Sequence, residues 1–198
     1  MKTKLCLLIL LIVGLSVQLS ANPINGLLER IDKGASKKFV IEFKKGADDF
    51  FELDQKGTKV VVRGNNYVNI ATGINWYLKY YAGIQLSWNG MQTKLPQVLP
   101  PVPRKERHET SLSLRYDFNY CTYSYTMAFW DWERWEKEID WMALHGINLP
   151  LAAVGQECIW FNMLQKLGYS KDEINRFIAG PAFLAWWAMN NLEGWGGP

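Results

Sequence analysis

The first part of this chain shows apolar positions in two kinds of spacing. Three short runs have the spacing of β-strands, at 39–43, 50–53 and 59–63, with a turn at Gly57. Helical spacing marks two further segments, 27–31 and 69–81, and Gly83 is a typical stop for the second. Together with a short strand at 84–88, these elements predict a small α/β domain over residues 22–95.

A proline-rich segment follows this domain. Residues 96–111 contain four prolines and then a cluster of basic and acidic residues. Because proline favours extended, semi-rigid chain, this segment predicts a linker that holds two domains at a fixed distance. His108 lies in the polar run, and we expect it to be solvated and to have no catalytic role.

The pattern after residue 111 predicts a strand, a helix and a second strand. Positions 112–121 alternate with period two, helical spacing follows from Trp132 to His145, and residues 147–154 form an almost wholly apolar run typical of a buried parallel strand. The expected fold class is therefore α/β. A small N-terminal α/β domain precedes, in residues 112–198, the first two β/α units of a TIM-type (β/α)8 barrel that this sequence does not complete.

The polar face of the first predicted strand carries the candidate chemistry. Its members are Ser113, Arg115, Asp117, Asn119 and Cys121. In a barrel this face points inward, so Arg115 and Asp117 would lie deep, where a structural ion pair is favoured over a direct role in the site. Asn119 and Cys121 would reach the mouth, and an asparagine amide can both donate to and accept from sugar hydroxyl or acetamide groups. For this pair we favour ligand contact over core filling.

The predicted helix has well-defined ends, because Asp131 can cap its first turn and Gly146 can stop it. An apolar stripe predicts tryptophans in the core rather than a substrate platform: Trp132, Trp135, Ile139 and Met142. The acidic residues predict a solvated face or partners of neighbouring helices, instead of a catalytic pair: Glu133, Glu136, Glu138 and Asp140.

Glu157 follows the second predicted strand and is the one carboxylate whose position suits acid or base chemistry. A glycosidase needs two carboxyl groups, and no second one is evident, so we favour a supporting role. Further on, Ser170 and Glu173 have capping-box spacing. Adjacent tryptophans at 186 and 187 would point about 100 degrees apart on a helix, so that one packs while the other faces a ligand.

The N-terminal pattern and the charge balance predict the location of the protein and the kinds of partner it binds. Residues 1–21 have two lysines, an apolar run and a short polar end, which predicts a cleaved secretory signal; an uncleaved membrane anchor is the alternative. Without Lys2 and Lys4, 20 basic residues face 19 acidic ones, which favours neither nucleic acid nor a membrane surface as a partner. The exported chain keeps Cys121 and Cys158, which either pair once or stay free.

Three long stretches resemble one family. They are RYDFNYCTYSYTMAFWDWERWEKEIDWMALHGINLPLA, GQECIW and GPAFLAWWAMNNLEGWGGP. Residues 112–198 are similar in these motifs to the alpha-N-acetylglucosaminidases, glycoside hydrolase family 89, whose lysosomal members remove terminal α-linked N-acetylglucosamine from heparan sulfate. The small domain occupies the place of that family's N-terminal domain.

The resemblance implies a glycan with a terminal N-acetylglucosamine as substrate, a retaining mechanism, an exported enzyme and no metal or cofactor. It implies that Asn119 and Cys121 bind the sugar ring, that Trp186 forms a pocket wall and that Met189 neighbours it. Trp187 departs from the family, where a smaller residue is expected. The resemblance also implies two catalytic glutamates in later barrel strands, so that none is assigned within these 198 residues and the chain alone is expected to be inactive.

Two other kinds of function fit the same sequence. A carbohydrate-binding protein without catalysis would keep Asn119, Cys121 and Trp186 but needs a closed, stable fold. A structural or interaction module would use only the N-terminal α/β domain.

Overall fold

The computed structural model describes residues 22–152, 154–180 and 184–189. The predicted signal segment, residues 1–21, lies outside them. The chain divides into two compact units between Ser111 and Leu112, and each unit has its own packing. The prediction of a mixed α/β chain is confirmed.

The first unit combines a four-stranded sheet with two helices. Its elements are α1 (Pro23–Ile31), a 3-10 turn (Ala35–Lys38), β1 (Phe39–Phe43), β2 (Asp49–Lys56), β3 (Lys59–Gly64), α2 (Tyr67–Tyr80), β4 (Leu86–Ser87), β5 (Gly90–Met91) and β6 (Glu106–Thr110). The main sheet has the order β1-β3-β2-β6, and β4 and β5 form a separate two-stranded ladder. β1 runs parallel to β3, while β2 is antiparallel to both β3 and β6.

The core of this unit lies between the sheet and its two helices. Fully buried residues of the strands meet those of α2: Leu53, Val60, Val62, Ile70, Ile74 and Tyr77. The helix approaches the sheet closely at Gly73, where an added Cβ would lie 2.9 Å from Cγ1 of Val62. Both helices begin at asparagine caps, Asn22 and Asn66, whose side chains accept backbone N–H groups.

The predicted linker, residues 96–111, is wrong for its second half. Glu106–Thr110 forms β6, which pairs antiparallel with β2. The side chains explain why, because Arg107 pairs with buried Glu52 and His108 stacks on Phe51 at a ring-centroid distance of 4.9 Å. Both partners lie on β2, which is distant in the sequence. The polar composition of residues 104–110 alone therefore predicts a solvated segment.

The proline-rich half of the same segment also packs on the first unit. Leu99 and Val102 are buried, and the Tyr77 hydroxyl donates to the Pro100 carbonyl at 2.6 Å. The backbone N–H of Val102 donates to Oε1 of Gln55 at 3.0 Å. Residues 96–105 are therefore irregular in backbone but fixed in place by specific contacts.

The second unit contains short strands and mostly short helices. Its described elements are β7 (Tyr116–Asp117), α3 (Tyr120–Tyr125), α4 (Trp132–Leu144), β8 (Leu149–Pro150), α5 (Gln156–Lys166), α6 (Lys171–Phe177) and α7 (Leu184–Ala188). β7 and β8 are parallel, with α3 and α4 between them in the chain. The capping box of Ser170 and Glu173 begins α6, as its spacing predicts.

The predicted strand over 112–121 is much shorter than its alternating pattern suggested. Leu112 and Leu114 are exposed and outside any strand, and only Tyr116 and Asp117 pair. The alternation ends because Phe118 adopts a left-handed backbone with φ of 74°, after which the chain turns into α3. Asn119 and Cys121 therefore lie at the start of a helix rather than on the inner face of a strand.

The expected Arg115–Asp117 ion pair is replaced by contacts to the backbone. Nε of Arg115 donates to the carbonyl of Gly146, and Oδ1 of Asp117 accepts the N–H of Phe118 at 2.8 Å. The second strand is also shorter than predicted, with Leu149 42% exposed. Its proline, Pro150, has no N–H to extend the ladder.

Helix α4 begins and ends where the sequence predicts, but its buried face differs. The Asp131 side chain accepts the N–H of Arg134, and Gly146 has a positive φ. Of the predicted apolar stripe, Met142 is buried, while Trp132 and Ile139 are 68% and 46% exposed. Of the two alternatives for the acidic residues, a solvated face is wrong for Glu138, which is buried.

Candidate functional site

Asn119 begins helix α3, and its amide oxygen acts as the helix cap. Oδ1 accepts the backbone N–H of Thr122 at 3.1 Å, and the Thr122 hydroxyl donates to the Asn119 carbonyl at 2.8 Å. The side chain is exposed, and within the described part of the chain its Nδ2 group has no recorded hydrogen-bond partner. The Nδ2 group of Asn119 can therefore donate a hydrogen bond to a ligand, whereas Oδ1 already accepts one from the helix backbone.

The left-handed residue before Asn119 is held by aromatic packing. The ring of Phe118 meets Tyr123 and Trp135 edge-on, with centroids 5.9 and 6.4 Å apart. Positive φ is unfavourable for a bulky residue and occurs where surrounding contacts impose it. In this chain it sets the direction of α3 and so the direction of Asn119.

Cys121 lies in the first turn of α3, half-buried and with a free thiol. Cys158 is also free, and exposed, so the pairing left open by the sequence does not occur in this structure. Cys121 follows the capping residue Asn119 by two positions.

Trp186 and Met189 belong to the end of the described chain. The half-buried ring of Trp186 packs edge-to-face against Tyr125 at a centroid distance of 5.8 Å. Met189 follows α7, is 38% exposed, and donates its N–H to the Trp186 carbonyl at 3.2 Å. Helices α3 and α7 pack against each other. Cys121 and Trp186 lie within these helices, Asn119 caps α3, and Met189 directly follows α7.

The two adjacent tryptophans diverge as helical spacing requires. Trp187 is buried, with 5% exposure, and packs edge-on against Trp160 at 5.2 Å and Phe177 at 5.7 Å. Trp186 faces α3 instead. Trp187 thus anchors α7 to α5 and α6. The helix accommodates a second tryptophan because this ring packs between those two helices.

Glu157 was predicted to follow the end of a strand directly, but it lies in the first turn of α5. It lines an open cavity of about 610 Å³ together with Cys158, Phe161 and Asn175. No other carboxylate is among the residues that line this cavity. The geometry therefore provides one carboxyl group there and not the pair that glycoside hydrolysis requires.

Among the residues that the structure describes, two carboxylates are buried, and both are ion-paired. Glu138 in α4 meets Arg134 one turn earlier at 2.9 Å. Glu52 in β2 meets Lys44, Lys105 and Arg107 at 2.8, 2.9 and 3.2 Å. Burial raises the pKa of Glu52, but these cations more than offset it and lower the pKa to about 2.

These contacts assign the two buried carboxylates to structural roles. Across the described ranges, no cluster of three or more histidine, cysteine or acidic residues has the arrangement of a metal site. None of the helices described is long and apolar enough to cross a membrane.

Comparison with known families accounts for both units. The model of the alpha-N-acetylglucosaminidase N-terminal domain matches residues 22–101, and the model of the alpha-N-acetylglucosaminidase TIM-barrel domain matches residues 115–198. The chain belongs to the alpha-N-acetylglucosaminidase family. This family membership joins the α/β unit and the unit with the candidate site in one kind of protein.

Individual members of the alpha-N-acetylglucosaminidase family are similar to this chain in sequence and in structure. Human alpha-N-acetylglucosaminidase is 45% identical over 167 residues, which are 84% of this chain and 22% of the human protein. A family 89 glycoside hydrolase from Clostridium perfringens, solved with 2-acetamido-1,2-dideoxynojirmycin, is 40% identical with a TM-score of 0.79. That match covers 85% of this chain and 20% of the other.

A second Clostridium perfringens structure gives the same values. It is a variant with two glutamate-to-glutamine substitutions, in complex with its substrate GlcNAc-α-1,4-galactose. This chain spans about a fifth of the length of these relatives.

Proposed function

We propose that this chain is the N-terminal part of an exo-acting glycoside hydrolase that removes terminal α-linked N-acetylglucosamine from glycans. Family membership supports the reaction class. The observation that carries the proposal is the packing of α3 against α7, because α3 follows Asn119 and contains Cys121, while α7 contains Trp186 and precedes Met189. An amide donor, a thiol and an aromatic ring are groups suited to an acetamido sugar.

In this proposal the second unit forms the first two β/α units of a TIM-type barrel. The parallel pairing of β7 with β8, with α4 between them, supports this interpretation because parallel neighbours require such a crossover. Asn119 and Cys121 directly follow β7, at the carboxyl end of a strand where barrel enzymes place their sites.

The chemistry follows a retaining mechanism in which two glutamates act as acid/base and nucleophile. We propose that residues outside these 198 provide both, since Glu157 is the one carboxylate that lines the cavity described above. The Clostridium perfringens complex supports a pair of glutamates, because substrate is held by a variant with two glutamates changed. The 198 residues alone are then expected to bind sugar weakly and to lack turnover.

Hydrolysis of an aryl α-N-acetylglucosaminide by the complete protein, expressed from its own reading frame, tests the activity. Proton NMR of the first product tests the mechanism, because retention releases the α-anomer before mutarotation. Early appearance of the β-anomer would contradict retention. Robust turnover by residues 22–198 would contradict the assignment of the carboxylates to other residues.

Asn119 allows its binding role to be separated from its role as a helix cap. Asn119→Asp keeps an oxygen that caps α3 but removes the amide donor, so stability should be retained while KM rises or activity is lost. Asp131→Asn is the matched control, because it makes the reverse exchange at the cap of α4. Unchanged kinetics for Asn119→Asp would remove Asn119 from the site.

The protein is proposed to be exported, by cleavage of residues 1–21. N-terminal sequencing of the mature protein tests this, with Asn22 as the expected first residue. A mature protein that retains Met1 would contradict it.

A further inference from the structure

Tyr125 is a large aromatic residue that is exposed yet contacts the candidate site. It is the last residue of α3 and is 71% exposed. Its ring packs against Trp186 with centroids 5.8 Å apart and planes at 67°, which is an edge-to-face contact. No local pattern marks this residue, because its partner lies 61 positions away, on another helix.

Helix geometry places Tyr125 beside Cys121. Residues four apart on a helix lie on one face, so Cys121 and Tyr125 share the face of α3. The end of α3 is fixed in turn, because the N–H groups of Thr126 and Met127 both donate to the Thr122 carbonyl at 3.0 Å. Tyr125 is therefore held beside a proposed sugar-binding residue and packs against a second one.

Trp186 depends on such contacts for its orientation. Helix α7 has five residues, which is too short to hold its side chains by helix stability alone. Trp187 anchors a different side of this helix, while the Trp186 ring packs against Tyr125 of α3. An edge-to-face contact restricts the tilt of both rings.

We propose that Tyr125 is a positioning residue that holds Trp186 at the angle at which it contacts the N-acetylglucosamine ring. This rests on the proposed function and adds one residue to its site. Tyr125 acts through its ring and not through its hydroxyl, since the contact with Trp186 is aromatic. Because Trp186 contacts the sugar before and during the reaction alike, loss of its alignment weakens binding and leaves the chemical step intact.

The test is the steady-state kinetics of the complete protein on an aryl α-N-acetylglucosaminide. Tyr125→Leu should raise KM about 2- to 10-fold with kcat unchanged, a range set by the strength of aromatic pairs. Tyr125→Phe should restore the wild-type KM. Phe129→Leu is the control, because Phe129 is 81% exposed in the same unit and contacts none of the proposed binding residues.

A double-mutant cycle separates alignment from direct sugar contact. In a Trp186→Leu background, Tyr125→Leu should have no further effect on KM, because the residue through which it acts is gone. An additive effect would overturn the inference, as would an unchanged KM in Tyr125→Leu or an equal rise in Tyr125→Phe. Should Tyr125→Leu fail to fold, Tyr125→Met answers the same question with an unbranched side chain.

The outcome also distinguishes this inference from the proposed function. If wild-type protein fails to cleave the substrate, the proposed function fails and the inference falls with it. If wild-type protein cleaves the substrate while Tyr125→Leu matches Phe129→Leu, the function stands and the role of Tyr125 is refuted.

Discussion

Glu52 provides a quantitative test of how the first unit holds its edge strand. Its side chain is 3% exposed and meets three cations, two of which, Lys105 and Arg107, come from the segment predicted to be a linker. A pKa lowered from 4.5 to about 2 corresponds to about 3 kcal/mol of stability at neutral pH. We therefore expect Glu52→Gln to destabilise the unit by about 2–3 kcal/mol at pH 7.

The dependence on pH follows from the direction of the shift. Because the folded-state pKa of Glu52 is depressed, its contribution is complete above about pH 4.5. It is lost as the pH falls towards 2, where the folded carboxylate takes up a proton. The difference in unfolding free energy between wild type and Glu52→Gln should therefore shrink across this window. Taking that difference cancels the contributions of the other carboxylates.

The assay is urea unfolding followed by the NMR signals of amides in β2 and β3, which report this unit alone. Glu109→Gln is the matched control, since Glu109 also pairs with Arg107 but its side chain is 58% exposed. Exposed pairs contribute about 0–1 kcal/mol. The reasoning is refuted if Glu52→Gln costs no more than this control, or if its cost persists unchanged to pH 2.

Three further predictions address packing and the thiols. Gly73→Ala should destabilise by about 1–3 kcal/mol in urea unfolding, because the new methyl would lie 2.9 Å from a buried side chain of β3. Gly26→Ala, which meets only the end of a flexible side chain at 3.3 Å, should be neutral or stabilising. Equal effects would contradict this account. Trp187→Ala should cost about 3–5 kcal/mol in the unfolding of the second unit, and a cost below 1 kcal/mol would show that α7 does not depend on it. Iodoacetamide should alkylate Cys158 faster than Cys121 without prior reduction, as measured by peptide mass spectrometry, and a disulfide-linked peptide would refute this.

Elements with local signals could be predicted from the sequence. Helix α4 is the best case, because its cap at Asp131 and its stop at Gly146 depend on neighbours within a few residues. The strands β1 to β3 were found for the same reason, since their apolar runs are short and bounded by turns. The strands β1 to β3, together with helices α1 and α2, define the α/β character of the first unit.

Elements defined by distant partners could not be predicted. β6 is a strand because Glu52 and Phe51 receive its side chains, and nothing near residue 107 carries that information. The break at Phe118 has the same origin, because its left-handed backbone is imposed by rings at Tyr123 and Trp135. A strictly alternating pattern through residue 121 therefore placed the candidate residues Asn119 and Cys121 on the wrong element.

The candidate site depends on tertiary packing to an unusual degree. Its residues belong to helices of six and five residues, α3 and α7, and helices this short have little stability of their own. Aromatic contacts supply the missing restraint, from Phe118 before α3 and from Trp187 within α7. The density of aromatic residues in this part of the chain therefore serves mainly to orient a few polar and aromatic groups. Substitutions at these packing residues should impair sugar binding even where they never touch the sugar.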